Sequence, residues 1–340
     1  MSVRQIVVIG ASAGGIDALR ALVADLPADF PAPICVVIHT SPRGPGLLPQ
    51  ILNRAGSLHV EAAHNGRRLQ GARVYVAPPD CHLLVEPGRI RVTRGPRENG
   101  FRPAIDPLFR SAAQVHGPAT IGVILTGTLD DGTAGLWAVK QLGGTAVVQS
   151  PEDALFPELP RNAMNHVHVD YVLPLQGIAP LLTQLARTPA EHRGEIIMPD
   201  HLDVEVRIAK EQNALDAGLE QIAAPSKFAC PECHGVLFQL SEGGRLRFRC
   251  HTGHAHSAES LLAAIGESTE ESLWNAVRAL EESALLLRQM SAHSKTCAPA
   301  RSEASQRLGE RSEEAKRQSD ALRKLIMDRQ QPTALQSSPD

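Results

Sequence analysis

Aromatic residues are scarce in this chain: two tryptophans, two tyrosines and seven phenylalanines make up 3% of 340 residues. A platform that stacks the bases of single-stranded nucleic acid needs several aromatic faces, so that class is set aside. An excess of one charge is lacking too. Thirty-four Lys and Arg stand against 37 Asp and Glu, a formal net charge of -3. Such a balance gives no basic face, and no nucleic-acid partner is expected. No uninterrupted apolar run approaches the ~20 residues of a membrane-spanning helix. The start, Met1-Ser2-Val3-Arg4-Gln5-Ile6, lacks the basic lead, apolar stretch and cleavage site of a secretory signal. The expectation is a cytoplasmic protein without membrane insertion. Its six cysteines are then reduced thiols or metal ligands rather than disulfides.

What is present is globular: 43% hydrophobic and 21% charged residues. Up to about residue 187, short apolar runs alternate with helical patterns, the mark of βα units around a mostly parallel sheet. Gln5 to Ile9, Ile34 to Ile38, Thr120 to Leu125 and Thr145 to Gln149 read as strands. Ile16, Leu19, Leu22, Val23 and Leu26 recur at helical spacing until Pro27. Val74-Tyr75-Val76 followed by Leu83 to Glu86 and Arg89 to Thr93 reads as antiparallel, with Pro87-Gly88 as the turn. The fold expected is α/β, a three-layer mostly parallel sheet with helices on both faces. A small Cys/His ribbon-like unit and C-terminal helices follow. The boundaries expected are 1–187 for the catalytic domain, 188–224 for a linker with helical segments, and 225–262 for the ribbon. A helical hairpin or coiled-coil-like region is expected over 263–329 and a disordered tail over 330–340.

Gly10-Ala11-Ser12-Ala13-Gly14-Gly15 lies between a buried strand and a helix. Small neighbours permit a sharp turn, and a serine there projects from the strand's carboxyl end beside helix-start N–H groups that can hold an oxyanion. A dinucleotide loop is the rival reading, but Ser12 occupies its second glycine position and would crowd a pyrophosphate. His39 ends the strand Ile34 to Ile38, on the same rim. Asp130-Asp131-Gly132 follows the strand Thr120 to Leu125, where either acid could cap the next helix or orient a histidine. Each residue alone has an ordinary structural explanation. A Ser, a His and an Asp each at the carboxyl end of a buried strand point together to acyl transfer.

These segments resemble the catalytic domain of chemotaxis protein-glutamate methylesterases of the CheB type, over the first ~185 residues. Gly10 to Gly15 resembles the nucleophile loop, Val36-Val37-Ile38-His39 the histidine strand, and Leu125-Thr126-Gly127 through Asp131-Gly132 the aspartate loop. Val74 to Pro78, Arg102 to Phe109 and Leu159-Pro160-Arg161-Asn162-Ala163 resemble connecting family segments. The resemblance implies a serine hydrolase of glutamyl γ-methyl esters on methyl-accepting chemotaxis receptors, often a glutamine deamidase as well, working with other chemosensory proteins. It implies Ser12 as nucleophile, His39 as general base then acid, and Asp131 as the residue orienting the histidine. Ala13 and Thr128 are candidate oxyanion-hole residues, with Arg161 a candidate substrate contact. No cofactor is expected for catalysis. Leu129 stands in Gly127-Thr128-Leu129 where the family usually reads Gly-Met-Gly, and is expected to change the backbone there. Asp130 adds an acid beside Asp131. With the phosphoacceptor domain usual in the family not preceding these residues, activity is expected without a phosphodonor.

Cys230-x-x-Cys233 followed by Cys250-x-x-x-His254 has the spacing of a zinc ribbon or knuckle. A structural zinc on Cys230, Cys233, Cys250 and His254 is expected, with His251 and His256 as rival fourth ligands. Val236 to Leu240 and Arg245 to Arg249 read as a hairpin around Gly243-Gly244. Cys35 reads as a core residue, Cys81 and Cys297 as incidental thiols. Leu273, Val277, Leu280, Ala284 and Leu287 form a coiled-coil-like seam, a candidate homodimer surface. Two rivals remain beside the esterase. One is a catalytically inactive scaffold on the same fold, the other a nucleotide-binding oxidoreductase.

Overall fold

The computed structural model describes residues 5–188, 199–242, 244–297 and 302–330. Residues 331–340 of the tail expected over 330–340, and part of the expected linker, lie outside the described residues. Two compact units divide the chain, Met1–Leu261 and Leu262–Asp340.

The first unit opens with β1 (Ile6–Ala11), α1 (Gly15–Asp25), β2 (Ile34–Ile38), α2 (Leu48–Asn53), β3 (His59–Ala62) and β4 (Arg73–Val76). A hairpin of β5 (His82–Glu86) and β6 (Arg89–Thr93) follows, then α3 (Ile105–His116) and β7 (Thr120–Ile124). Next come α4 (Thr133–Gln141), β8 (Thr145–Gln149), α5 (Glu158–His166), β9 (Tyr171–Leu173) and α6 (Leu175–Arg187). Seven strands form one sheet in the order β3-β4-β2-β1-β7-β8-β9, with every pairing parallel.

Alternation within the strands divides the core in two. Ile6 and Val8 of β1 join Val37, Phe109 and Leu136 on one face, under α3, α4 and the β5–β6 hairpin. Val7 and Ile9 join Leu19, Leu22 and Leu182 on the other, under α1 and α6. Both faces of β1 are therefore covered, which is why it reads as an unbroken apolar run rather than an alternating one. The order reverses direction at β1, whose neighbours are β2 and β7. Parallel sheets open a crevice beyond the carboxyl ends of their strands at such a switch point.

Residues 200–209 do not hang free. They form α7 (Asp200–Ala209), with Leu202, Val204, Val206 and Ile208 buried. Gln114 of α3 donates to Asp203 at 3.0 Å, and the Thr93 hydroxyl donates to the Ala209 carbonyl at 2.9 Å. A short α8 (Leu219–Ile222) leads to a four-stranded antiparallel sheet of β10 (Ala224–Ala229), β11 (Val236–Glu242), β12 (Arg245–Cys250) and β13 (Ala255–Ser257). An ionic cluster fastens this sheet to what precedes it. Arg249 donates to Glu98 at 2.9 Å and to Glu205 at 3.0 Å, Arg247 reaches Glu205 at 2.6 Å, and Arg110 pairs with Glu98. These side chains are buried.

The second unit is helical. The division falls within α9 (Ala258–Cys297), and α10 (Ser302–Gln330) runs back along it. Buried positions recur at sevens, Val277, Ala284 and Ser291 on α9 and Ser305, Ser312, Ser319 and Ile326 on α10, with Ala315 buried between Ser312 and Ser319. Small side chains let the helices approach closely. The Ser312 hydroxyl donates to the Ala284 carbonyl at 2.8 Å, and Ser291 and Ser305 each donate to the other's carbonyl. Of the expected seam, Val277 and Ala284 are buried within the chain, and Leu273, Leu280 and Leu287 are half-buried. Among the described residues no helix is long and apolar enough to cross a membrane.

Candidate active site

Three adjacent strands bring Ser12, His39 and Asp131 to one crevice. Ser12 follows β1, His39 follows β2, and Asp131 closes the loop after β7. The parallel register pairs Ala11 with Ile38 and Gly10 with Ile124, so the strand ends lie level. Backbone bonds set the spacing: Ser12 N–H donates to the Thr126 carbonyl at 3.0 Å and His39 N–H to the Ala11 carbonyl at 3.2 Å. Gly14 precedes α1 as its N-cap with φ of +72°, a left-handed conformation that glycine adopts without strain. Gly127 is required by proximity, since a Cβ there would sit 2.7 Å from the Ser12 Cβ.

Ser12 Oγ lies 3.0 Å from His39 Nδ1, and His39 Nε2 lies 2.7 Å from Asp131 Oδ2. The ring thus presents Nδ1 to the hydroxyl and Nε2 to the acid, the reverse of the chymotrypsin arrangement. The linear order of groups is the same, so a proton leaving the serine can be taken by one nitrogen while the other stays on the carboxylate.

Asp131 is fully buried. Burial by itself would raise its carboxyl. Hydrogen bonds from His39, the Ile105 N–H (2.6 Å) and Asn99 Nδ2 (3.0 Å) outweigh that and hold it below the ordinary value. It is the charged member of a carboxylate pair. Burial first, then the charge of Asp131, pushes neighbouring Asp106 up to about 7. Asp106 accepts the Gly132 and Gly135 N–H groups at 3.0 and 2.6 Å and so ties the aspartate loop to α3. Asp130 points elsewhere. It accepts the Ser257 hydroxyl at 2.7 Å and is pushed up to about 6, by burial first and then by Glu259 and Asp131. The geometry separates the two adjacent acids.

Leu129 keeps a glycine-like backbone, φ 59°, despite its side chain. Asn162 Nδ2 donates to its carbonyl at 2.8 Å, and the loop before α5 is strapped to the same turn by Phe156 N–H on Thr126 Oγ1 at 2.8 Å. Ala13 and Thr128 are half-buried in the two turns flanking Ser12. Among the described residues, neither of their backbone N–H groups is spent on a protein acceptor. Arg161 is exposed on α5, with its charge near Glu152, and it is the next residue, Asn162, that reaches the aspartate loop. Phe101, Asn99 and Asp106 also belong to the site. The Phe101 ring lies parallel to His39 with centroids 3.6 Å apart.

The rim is apolar. Ile16, Leu155 and Phe156 are exposed beside the serine turn, and a groove of about 280 Å³ lined by Ile16, Ile38, Thr40, Leu47 and Pro79 runs past His39's strand. A more polar cavity of about 230 Å³, lined by Asp106, Asp130, Arg247, Ser257 and Glu259, lies between the aspartate loop and the small sheet.

Away from this crevice, Cys230, Cys233, Cys250 and His254 place their ligand atoms within 4.8 Å of one another. Cys233 Sγ–Cys250 Sγ is 3.6 Å, Cys250 Sγ–His254 Nδ1 3.6 Å and Cys230 Sγ–His254 Nδ1 3.8 Å. A tetrahedral zinc with Zn–S of about 2.3 Å requires edges of about 3.5–3.8 Å, so the donor set and its size fit that ion. His254 Nε2 faces Glu232 at 3.7 Å, the carboxylate partner a metal-bound imidazole commonly has. His251 is exposed over Gly235, and buried His256 sits on β13 opposite Phe248; neither belongs to the group.

Comparison with known proteins places these residues in context. The family model described as CheB methylesterase matches residues 7–182. A Leptospira interrogans protein is 40% identical over 190 residues, 56% of this chain and 98% of its own. Its name assigns it, provisionally, as a protein-glutamate methylesterase/protein-glutamine glutaminase. The Rhizobium meliloti protein named protein-glutamate methylesterase/protein-glutamine glutaminase of group 3 operon is 40% identical over 191 residues. Those are 56% of this chain and 54% of the relative, so the match spans about half of that protein. The crystal structure of the Thermotoga maritima CheB methylesterase catalytic domain superposes with a TM-score of 0.51 at 36% identity, covering 53% of this chain and 98% of that one. The thiol cluster and the long helices lie beyond the matched residues.

Proposed function

The chain belongs to the CheB methylesterase family, and from that premise we propose that it hydrolyses glutamyl γ-methyl esters on the cytoplasmic helices of chemoreceptors. Ser12 is the nucleophile, His39 the general base and then acid, and Asp131 the orienting carboxylate. The observation that carries this reading is the unbroken chain Ser12 Oγ–His39–Asp131 at 3.0 and 2.7 Å. Ser12 Oγ attacks the ester carbonyl as His39 Nδ1 takes its proton. The oxyanion formed is held by backbone N–H groups of Ala13 and Thr128. Collapse expels methanol, which takes the proton back from His39, and water then hydrolyses the acyl-enzyme by the same route. A glutamine side chain in the same place would release ammonia. The apolar rim around Ile16, Leu155 and Phe156 supports a protein substrate. Arg161, exposed on α5 one residue before Asn162, is a candidate contact for an acidic receptor surface.

Cys230, Cys233, Cys250 and His254 hold a structural zinc. The ion would close the ribbon, with no position left for a substrate. Freshly purified protein should carry about one equivalent, and less than roughly a tenth would remove this assignment. The reading includes a cytoplasmic location, where receptor helices and other chemosensory proteins are met. A homodimer through the C-terminal helices would have the exposed Leu285, Leu286 and Met290 available to it.

The test is methanol release from methylated receptors of the same host, comparing native protein with Ser12→Ala. Release that disappears in the variant supports the esterase. No release from the native protein favours a scaffold on the same fold.

A further inference from the structure

Asn99 joins two parts of the first unit that the esterase reading leaves unrelated. Its Nδ2 donates to Asp131 Oδ1 at 3.0 Å and to Asp106 Oδ2 at 3.2 Å. Its Oδ1 accepts the Ser257 backbone N–H at 2.9 Å and the Ser260 hydroxyl at 3.1 Å. Its own backbone N–H donates to the Ala255 carbonyl at 2.7 Å, and the Ala255 N–H donates to the Arg97 carbonyl at 3.1 Å. The side chain is buried, and its orientation is forced: the amide nitrogen meets two carboxylates and the oxygen meets two donors.

Every group that holds Asn99 from behind lies on β13 or the first turn of α9. Strand β13 is three residues long and pairs with β12 through Arg247–Ser257, Phe248–His256 and Arg249–Ala255, while its Ala255 also bridges Glu98 in the segment that carries Asn99. Strand β12 ends at Cys250, and β13 begins immediately after His254. The Cys250 N–H donates to the His254 carbonyl at 2.9 Å, closing the turn between the two ligands. Fixing that turn fixes one end of the strand that seats Asn99, whose other holds are the Ala255–Glu98 bridge and the Ser257 hydroxyl on Asp130.

We propose that Asn99 is a positioning residue for the Asp131–His39 pair, and that the metal-closed ribbon is the element holding Asn99 in place. Occupancy of the cluster then governs the reactivity of Ser12 from outside the active site. This rests on the esterase and zinc readings above. Asp131 Oδ2 serves His39 and the Ile105 N–H. Without Asn99, Oδ1 is left with the Asp106 N–H at 3.4 Å. A buried carboxylate short of donors turns to find others, and the imidazole it orients turns with it.

The experiment uses the full chain and a fluorophosphonate probe, which reports Ser12 nucleophilicity without any receptor. Labelling rates are measured with zinc bound, after chelation with zinc loss verified, and after zinc return, in native protein, Asn99→Ala and Ser260→Ala. Proton NMR follows the downfield resonance of the His39–Asp131 hydrogen bond, which a merely structural role would leave in place. Asn99→Ala should slow labelling about 10- to 100-fold, the scale of a small misplacement in a catalytic group, and weaken that resonance while keeping its zinc. Ser260→Ala, a milder change that serves if Asn99→Ala fails to fold, should slow it a few-fold. Chelation should slow the native protein reversibly and lose the resonance, yet add little in Asn99→Ala, because both changes break one connection. Native labelling and resonance unchanged after zinc removal would overturn the proposal, as would losses that multiply in the variant or a chain that binds no zinc. A native protein that the probe never labels would instead sink the esterase reading.

Discussion

The Phe101 ring lies flat on the imidazole of His39, centroids 3.6 Å apart and planes 5° from parallel. The contact does more than exclude water from one face. A stacked ring can turn in its own plane but cannot tilt without losing contact, and the in-plane rotation is already fixed by Ser12 at one nitrogen and Asp131 at the other. Phe101→Ala should therefore lower kcat about 10-fold or more, by letting His39 leave its line, while Phe101→Tyr keeps most of the activity. Methanol release at saturating receptor measures this. Equal activity of Phe101→Ala and native protein would mean that the two hydrogen bonds suffice.

Adjacent acids give the second prediction. Asp131 Oδ2 touches His39, whereas Asp130 accepts the Ser257 hydroxyl. Asp131→Asn keeps the shape but removes the charge that stabilises imidazolium and selects its tautomer. A loss of roughly 10³- to 10⁴-fold in kcat is expected, the scale known for that exchange in serine hydrolases. Asp130→Asn should stay within about 10-fold, because its amide oxygen still accepts from Ser257. Comparable losses in both variants would contradict the separation of roles.

That separation shows what the sequence carries and where it stops. The strands β1, β2, β7 and β8 are legible because both faces are buried, leaving continuous runs of Val and Ile. The edge strands β3 and β9 are not, since His59, Tyr171 and Val172 are exposed and give no apolar period. Ser12, His39 and Asp131 stand out because Ser12 and His39 each directly follow a buried strand and Asp131 closes the loop after a third. Asn99 does not, because Asn99-Gly100 reads as an ordinary turn and its partners, Asp131 and Ser257, lie 32 and 158 residues away. Arg161 and Asn162 differ by one helical step, about 100° around the axis, and the resemblance alone does not say which faces the loop. Spacing likewise leaves three histidines open beside the three cysteines, and only the folded turn brings His254 among the thiols.

Asp130 supplies a pH prediction. Its carboxyl is pushed from 3.8 to about 6 in the folded protein, by burial first. A raised carboxyl favours the protonated native state. Its contribution is complete below about pH 4 and is lost as pH rises through about 6. Asp130→Asn cannot ionise and should escape that loss. Its melting temperature, relative to the native protein, should climb between pH 4 and 6.5 and then level. A difference that stays flat across this range would show that Asp130 does not titrate there.

The buried cluster around Arg249 gives the opposite sign. Glu205 is held well below its ordinary value. Burial opposes this, but the guanidinium groups of Arg110, Arg247 and Arg249 outweigh it. Glu98, under the same balance, lies at about 2. Replacing one partner in such a cluster leaves charges buried without compensation, which typically costs about 3–5 kcal/mol. Glu205→Gln should lose stability on that scale near neutral pH, measured by urea denaturation. It removes the hub that joins α7 to β12 and leaves three arginines facing Glu98 and Asp106. Because the folded values are depressed, the stabilisation is present above about pH 4.5 and fades as pH falls through them. The gap between native protein and variant should therefore narrow steadily as the pH is lowered from 4.5 toward 2. A gap independent of pH would locate the cost in lost packing rather than in lost charge pairing.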